Sequence, residues 1–172
     1  SGHKVFIDAP QRGPRKRWMA MAHTNAVGAL RQRTHNARAG RRRMLLLQEF
    51  FELPELPQRV ECFDISHTRG EAAVASCVVF GEDGAMKEAY RRFNIRDVTG
   101  GDDYAAIEQA VYRRYGRLQK EGMALPEIVL IDGGPGQLAR AEAALAMLEI
   151  DEIQLCGVSK GTTRRPGMEL LY

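Results

Sequence analysis

Apolar and polar positions along this chain fall into two regimes. From residue 60 to 95 they alternate with the two-residue period of strands. Val60–Ile65, Ala72–Phe80 and Met86–Ile95 read as three successive strands. Gly81-Glu82-Asp83-Gly84 supplies hairpin chemistry between the second and third. After residue 102 the period lengthens. Ile107, Val111, Tyr115 and Leu118 recur at helical spacing, so Asp103–Glu121 reads as an amphipathic helix. Ile128–Ile131 is an unbroken apolar run, as expected of a parallel strand covered on both faces. Gln137–Leu148 carries a second helical stripe through Leu138, Ala141, Leu145 and Leu148, and Ile153–Val158 closes the series as a fifth strand. The order β-β-β-α-β-α-β implies a five-stranded mixed α/β sheet. Right-handed crossovers are expected to place its helices on both faces.

The first 58 residues differ. Lys4–Ile7 reads as a short strand, and a helix is expected from Pro14 to about Asn36. Ala39-Gly40 reads as an interruption before a second helical stretch that Pro54 and Pro57 end. Trp18, Leu45, Leu46, Leu47, Phe50 and Phe51 are too much apolar surface for a solvated linker. The expected organisation is thus a basic helical segment, 1–58, packing on a sheet domain, 59–172. Ser1-Gly2-His3 resembles a tag remnant.

Charge sharpens this division. Residues 1–60 hold 12 Lys and Arg against 4 Asp and Glu, a net of +8; residues 61–172 hold 13 against 18, a net of −5. A basic arm joined to an acidic body suggests a polyanion partner, although arginines on a helix are more often a solvated face. No apolar run is long enough to span a membrane. Cys62, Cys77 and Cys156 lie in expected strands without zinc spacing and read as reduced thiols of a cytoplasmic protein.

Two of the expected strands end in aspartate. Asp64 shares a strand face with Val60 and Cys62, and Asp132 closes Ile128–Ile131 before Gly133-Gly134. Carboxylates at the ends of apolar strands are costly unless paired or metal-bound, and two on neighbouring strands suit a hard cation that handles phosphate. Asp132 reads equally well as a shaper of the Asp-Gly-Gly-Pro-Gly turn. Asp102 and Asp103 precede a helix and either makes a good N-cap, so Asp103 is a cap or a ligand. The turn leading into Gln137 offers a helix N-terminus to phosphate but is no Walker A loop. His67 follows Asp64 by three positions and is a loop histidine or a site group. No nucleophile–base spacing supports covalent catalysis.

Phe63-Asp64-Ile65-Ser66-His67-Thr68, Tyr90-Arg91-Arg92-Phe93-Asn94-Ile95, Gly101-Asp102-Asp103-Tyr104, Leu130-Ile131-Asp132-Gly133-Gly134 and Gly157-Val158-Ser159-Lys160-Gly161 together resemble the UvrC family of excision-repair nucleases. The resemblance implies an RNase H-like fold and a metal-assisted endonuclease making the 5′ incision in damaged duplex DNA, working with UvrB and, upstream, UvrA. It implies Asp64, Asp132 and Asp103 as catalytic residues, the first two holding Mg²⁺ or Mn²⁺. Arg91, Arg92, Lys160, Arg164 and Arg165 are candidate phosphate contacts. The chain departs from the pattern by stopping before the family's catalytic histidine and its helix-hairpin-helix motifs. The expectation is weak metal binding and poor cutting on its own. The alternative is a catalytically silent module that binds DNA or the repair complex through its basic helices.

Overall fold

The computed structural model describes residues 9–67, 73–96, 102–161 and 167–172; the expected Lys4–Ile7 strand and Arg164 and Arg165 lie outside them. The chain runs α1 (Gly13–Phe50), β1 (Val60–His67), β2 (Ala73–Gly81), β3 (Gly84–Ala85), a 3₁₀ turn (Lys87–Ala89), β4 (Arg91–Asn94), α2 (Asp103–Lys120), β5 (Ile128–Asp132), α3 (Pro135–Ala146), β6 (Gln154–Ser159) and β7 (Leu170–Leu171). The sheet order is β3-β2-β1-β5-β6-β7, with β4 also on β2. β1, β5 and β6 are parallel to one another; β2 is antiparallel to β1, β3 and β4. The five expected strand positions are therefore present in a mixed sheet with flanking helices. Two-residue β7 adds a short edge pairing that periodicity does not signal.

The expected third strand is broken in two. β3 and β4 occupy successive stretches of the same β2 edge, separated by the turn at Lys87–Ala89. Lys, Glu and Ala are good helix formers and poor strand formers, so local preference wins where β2 offers its last partners.

The crossover helices correct a second expectation. α2 and α3 pack on each other and share one core, with Phe63, Ala75, Cys77, Val79, Val129 and Ile131 beneath them. Both lie on one face, because the chain steps in one direction from β4, across β2 and β1, to β5 and then to β6, and each right-handed crossover falls on the same side. Among the described residues only α1 covers the other face. Met44, Leu47 and Phe51 pack there against Val60, Ile128 and Leu130.

α1 is one helix of 38 residues, not two. Gly40 does not break it. Gly40 is buried where α1 crosses the β2–β3 hairpin, and a Cβ there would overlap the Glu82 carbonyl. Arg41 pairs with Glu82 at the same crossing. The glycine is the point of close approach, a role that helical pattern cannot reveal. Residues 13–39 are exposed or half-buried, including Trp18, Met21 and Leu30, so the contact with the sheet is confined to the last turns of the helix. This contrast predicts opposite signs for one substitution. Gly28 has no atom near its missing Cβ. Gly28→Ala is expected to stabilise the chain by up to about 1 kcal/mol. Gly40→Ala is expected to destabilise it by about 1–3 kcal/mol through overpacking. Urea titration measures both, and amide exchange at residues 44–51 should accelerate only in Gly40→Ala. A stabilised Gly40→Ala would refute the docking.

Candidate active site

Alternation along β1 builds two sites on its two faces. Val60, Cys62 and Asp64 face α1's side; Glu61, Phe63 and Ile65 face α2 and α3. β5 pairs with β1 in parallel through Phe63↔Ile131. The next residues along that register are Asp64 and Asp132, both exposed. Neighbouring strands lie about 4.8 Å apart, so the two backbones present their carboxylates side by side.

At this spacing the charge of one carboxylate acts on the other. The Asp64 carboxyl is raised above its ordinary value, first by burial and then by the charge of Asp132, with Lys160 acting against both. Cys62, on the same face, has its thiol pushed up to about 11 by burial and by the charges of Asp132 and Asp64. Two like charges at this spacing oppose each other, and a divalent cation between them would relieve the repulsion. The donor set therefore fits a hard cation with oxygen ligands, completed by water. Among the described residues no group of three or more His, Cys, Asp or Glu gathers at one point, so protein ligands beyond the pair are not assembled there.

The sheet lays cations out around this pair. Asp64 stands opposite Ser76, and Ser76 opposite Arg92. Paired positions share a face, which puts exposed Arg92 in the Asp64 row two strands away, about 10 Å. Asp132 pairs with Val158, and exposed Lys160 follows two positions later, just past β6. Arg91 is separated from this group. It falls on the opposite face and donates to the carbonyls of Glu88 and Tyr90.

Asp102, not Asp103, caps α2, accepting from the Ala105 amide at 3.0 Å. Asp103 is the first helical residue. Tyr104 beside it lies against Gly136 at the start of α3, so Asp103 approaches this end of the sheet from the α2 face. It is not among the charges that shift Asp64. His67 ends β1, and its side chain lies outside the described residues. Gly133 and Gly134 turn the chain from Asp132 into α3, with the Gly133 amide donating to the Val158 carbonyl at 2.9 Å.

A buried charge on the other face of β1 is absent from the sequence reading. Glu61 is fully buried. It accepts from Arg114 Nη2 (2.7 Å) and Nε (3.1 Å), Arg59 Nε (2.8 Å), the Tyr115 hydroxyl (3.0 Å) and the Cys77 thiol (3.3 Å). Burial alone would raise its carboxyl. The hydrogen bonds and charge of Arg114, with help from Arg59, outweigh burial and hold it below the ordinary value. Tyr115 and Cys77 are driven up by burial and by the Glu61 charge, so both stay protonated as donors. This cluster ties α2 to β1 three residues before Asp64. The one signal for it in the sequence is a glutamate at an inward position of an apolar strand.

Comparison with known proteins follows the same lines. The family model described as UvrC RNAse H endonuclease domain matches residues 48–170, and one described as UvrC Ribonuclease H-like domain matches residues 1–33. UvrABC system protein C of Alkalilimnicola ehrlichii is 56% identical over 171 residues, 99% of this chain and 28% of that protein. The protein of the same name from Ectopseudomonas mendocina is 50% identical over the same shares. The chain thus spans about a quarter of the length of these relatives. Among solved structures, Ciona intestinalis endonuclease V (D234N) with an inosine-containing DNA aligns at 17% identity and a TM-score of 0.46, covering 82% of this chain and 62% of that one. Human endonuclease V aligns at 18% identity and a TM-score of 0.45, covering 72% and 58%.

Proposed function

The chain belongs to the UvrC RNase H endonuclease domain family, and on that footing we propose that it is the part of a DNA-repair endonuclease that makes the 5′ incision by divalent-metal-assisted hydrolysis. One observation carries the reading: Asp64 and Asp132 directly follow Phe63↔Ile131, the last parallel pair of β1 and β5, exposed and on one face, Asp132 ending β5 while β1 continues to His67. Functional groups gather outside the carboxyl ends of parallel strands because the loops there leave a crevice.

Asp64 and Asp132 would hold Mg²⁺ or Mn²⁺, and Asp103 is retained as a third carboxylate of the site. The bound ion would supply Lewis-acid polarisation of the phosphodiester and charge for the leaving oxygen. The chain's own contribution is position. β1 and β5 fix the two carboxylates through a buried ladder. Lys160 on one side and Arg92 on the other stand where strand phosphates would lie against the pair, setting register without reading bases. The proposed substrate is damaged double-stranded DNA, reached in company with UvrB and, earlier, UvrA, in the cytoplasm. Among the described residues no helix is long and apolar enough to cross a membrane.

The test is metal binding followed by electron paramagnetic resonance of Mn²⁺. Wild type is expected to bind it weakly, and Asp64→Asn and Asp132→Asn each to lose at least about tenfold in affinity, because either change removes half of the protein's ligand charge. Equal affinity in all three chains would remove the basis of the reading.

A further inference from the structure

We propose that α1 is a duplex-DNA docking rod whose basic stripe lies along phosphates while the same face of the sheet meets the strand to be cut. The inference rests on the nuclease reading only in choosing DNA as the polyanion.

α1 holds nine Lys and Arg and, before Glu49, no acidic residue. At 3.6 residues per turn, Lys16, Arg17, Arg31, Arg38, Arg41 and Arg42 fall within an arc of about 120°. From Lys16 to Arg42 the stripe is about 39 Å long at 1.5 Å per residue, a little more than one turn of B-DNA. All six residues are exposed, and none but Arg41 has a carboxylate partner among the described residues.

The placement of charge works against the isolated helix. Arg15, Lys16 and Arg17 sit at its positive end, and its first turn has neither an acidic residue nor a side-chain cap. Cations there are unfavourable unless an anion lies against them. The helix also lacks support: from Gly13 to Ala39 no side chain is fully buried, whereas helices in proteins draw most of their stability from packing of an apolar face. A run of phosphates would satisfy both conditions.

The helix is also aimed. Its docked end, Gly40 to Phe51, covers Val60, Ile128 and Leu130 on the face that carries Asp64 and Asp132. Four residues of strand separate Val60 from Asp64, about 13 Å. The docked end of α1 thus shares a sheet face with the carboxylate pair, and the far half of the helix extends its basic stripe beyond the sheet.

Fluorescence anisotropy of a labelled duplex across a salt series tests this, with Arg31→Gln, Arg38→Gln and Arg42→Gln combined. The three side chains are exposed, and circular dichroism checks that the helix persists. The slope of log affinity against log salt is expected to fall by roughly 2–3, near 0.9 for each lost phosphate contact. The matching Arg→Lys triple should restore it. Asp64→Asn, which tests the nuclease reading, should leave the slope intact, so the two readings fail separately. An unchanged slope in the Gln triple with helicity preserved would overturn the proposal. So would binding to anionic vesicles that exceeds binding to duplex.

Discussion

Arg114→Ala is expected to lower the free energy of unfolding by about 3–5 kcal/mol, because it leaves the fully buried Glu61 carboxylate without its main partner. A domain of this size has roughly 5–15 kcal/mol in total, so the variant loses about a fifth of its stability or more. The penalty belongs to the orphaned charge, and the loss of Arg114's packing adds to it. Glu61→Gln should cost less in shape but still strand two guanidiniums, Arg114 and Arg59, beside a neutral amide. The measurement is the urea midpoint at constant slope. A drop below about 1 kcal/mol for Arg114→Ala would mean that water reaches Glu61 when Arg114 is gone. The pH dependence has a definite sign. Glu61 is held below its ordinary value in the folded chain, so the unfolded chain binds its proton first. Its contribution is complete above the ordinary carboxylate range and drains away as pH falls through the lower folded value. Wild type should therefore lose stability on acidification below about pH 4.5, and Glu61→Gln should show a shallower loss over that window.

The second large effect concerns chemistry. Asp64→Ala is expected to reduce incision of a lesion-bearing duplex by more than about 10²-fold, above roughly 2.7 kcal/mol of barrier. The assay is best made both in this chain and in a full-length relative carrying the matching substitution. A single remaining carboxylate gives a cation no fixed position, and small misplacements of reacting groups carry losses of this order. A companion readout separates a metal site from a merely polar surface. Asp64 and Asp132 repel each other without a cation. Asp64→Ala should therefore melt slightly higher than wild type in chelator, and Mn²⁺ should raise the melting temperature of wild type only. If Mn²⁺ stabilises both chains equally, the pair is not the binding site, whatever the incision assay shows.

The residues themselves show how far the sequence reaches. The period-2 run to Asp64 and the unbroken apolar run ending at Asp132 announced two strands that the sheet sets side by side; Asp132 ends its strand, while β1 continues past Asp64 to His67 along β2. The α2 stripe through Ile107, Val111, Tyr115 and Leu118 is buried as its spacing required. These features are local: side chains within a few positions determine which face is apolar. Five strand positions and their order along the chain also followed.

What only the tertiary structure decided depends on partners far away in the chain. Arg114 looks like any exposed arginine of a helix until Glu61, 53 positions earlier, is placed beneath it. Gly40 looks like a helix break until the Glu82 carbonyl is set against it. Adjacent Arg91 and Arg92 are equivalent in the sequence, and the pleat of β4 sends one to each face. Which face holds both crossover helices, and which is left to α1 and the carboxylates, was fixed by the direction in which successive strands were laid down. Periodicity states that a face is apolar or that a residue is charged. The identity of what lies against it is a property of the assembled sheet, where long-range contacts outweigh local preference.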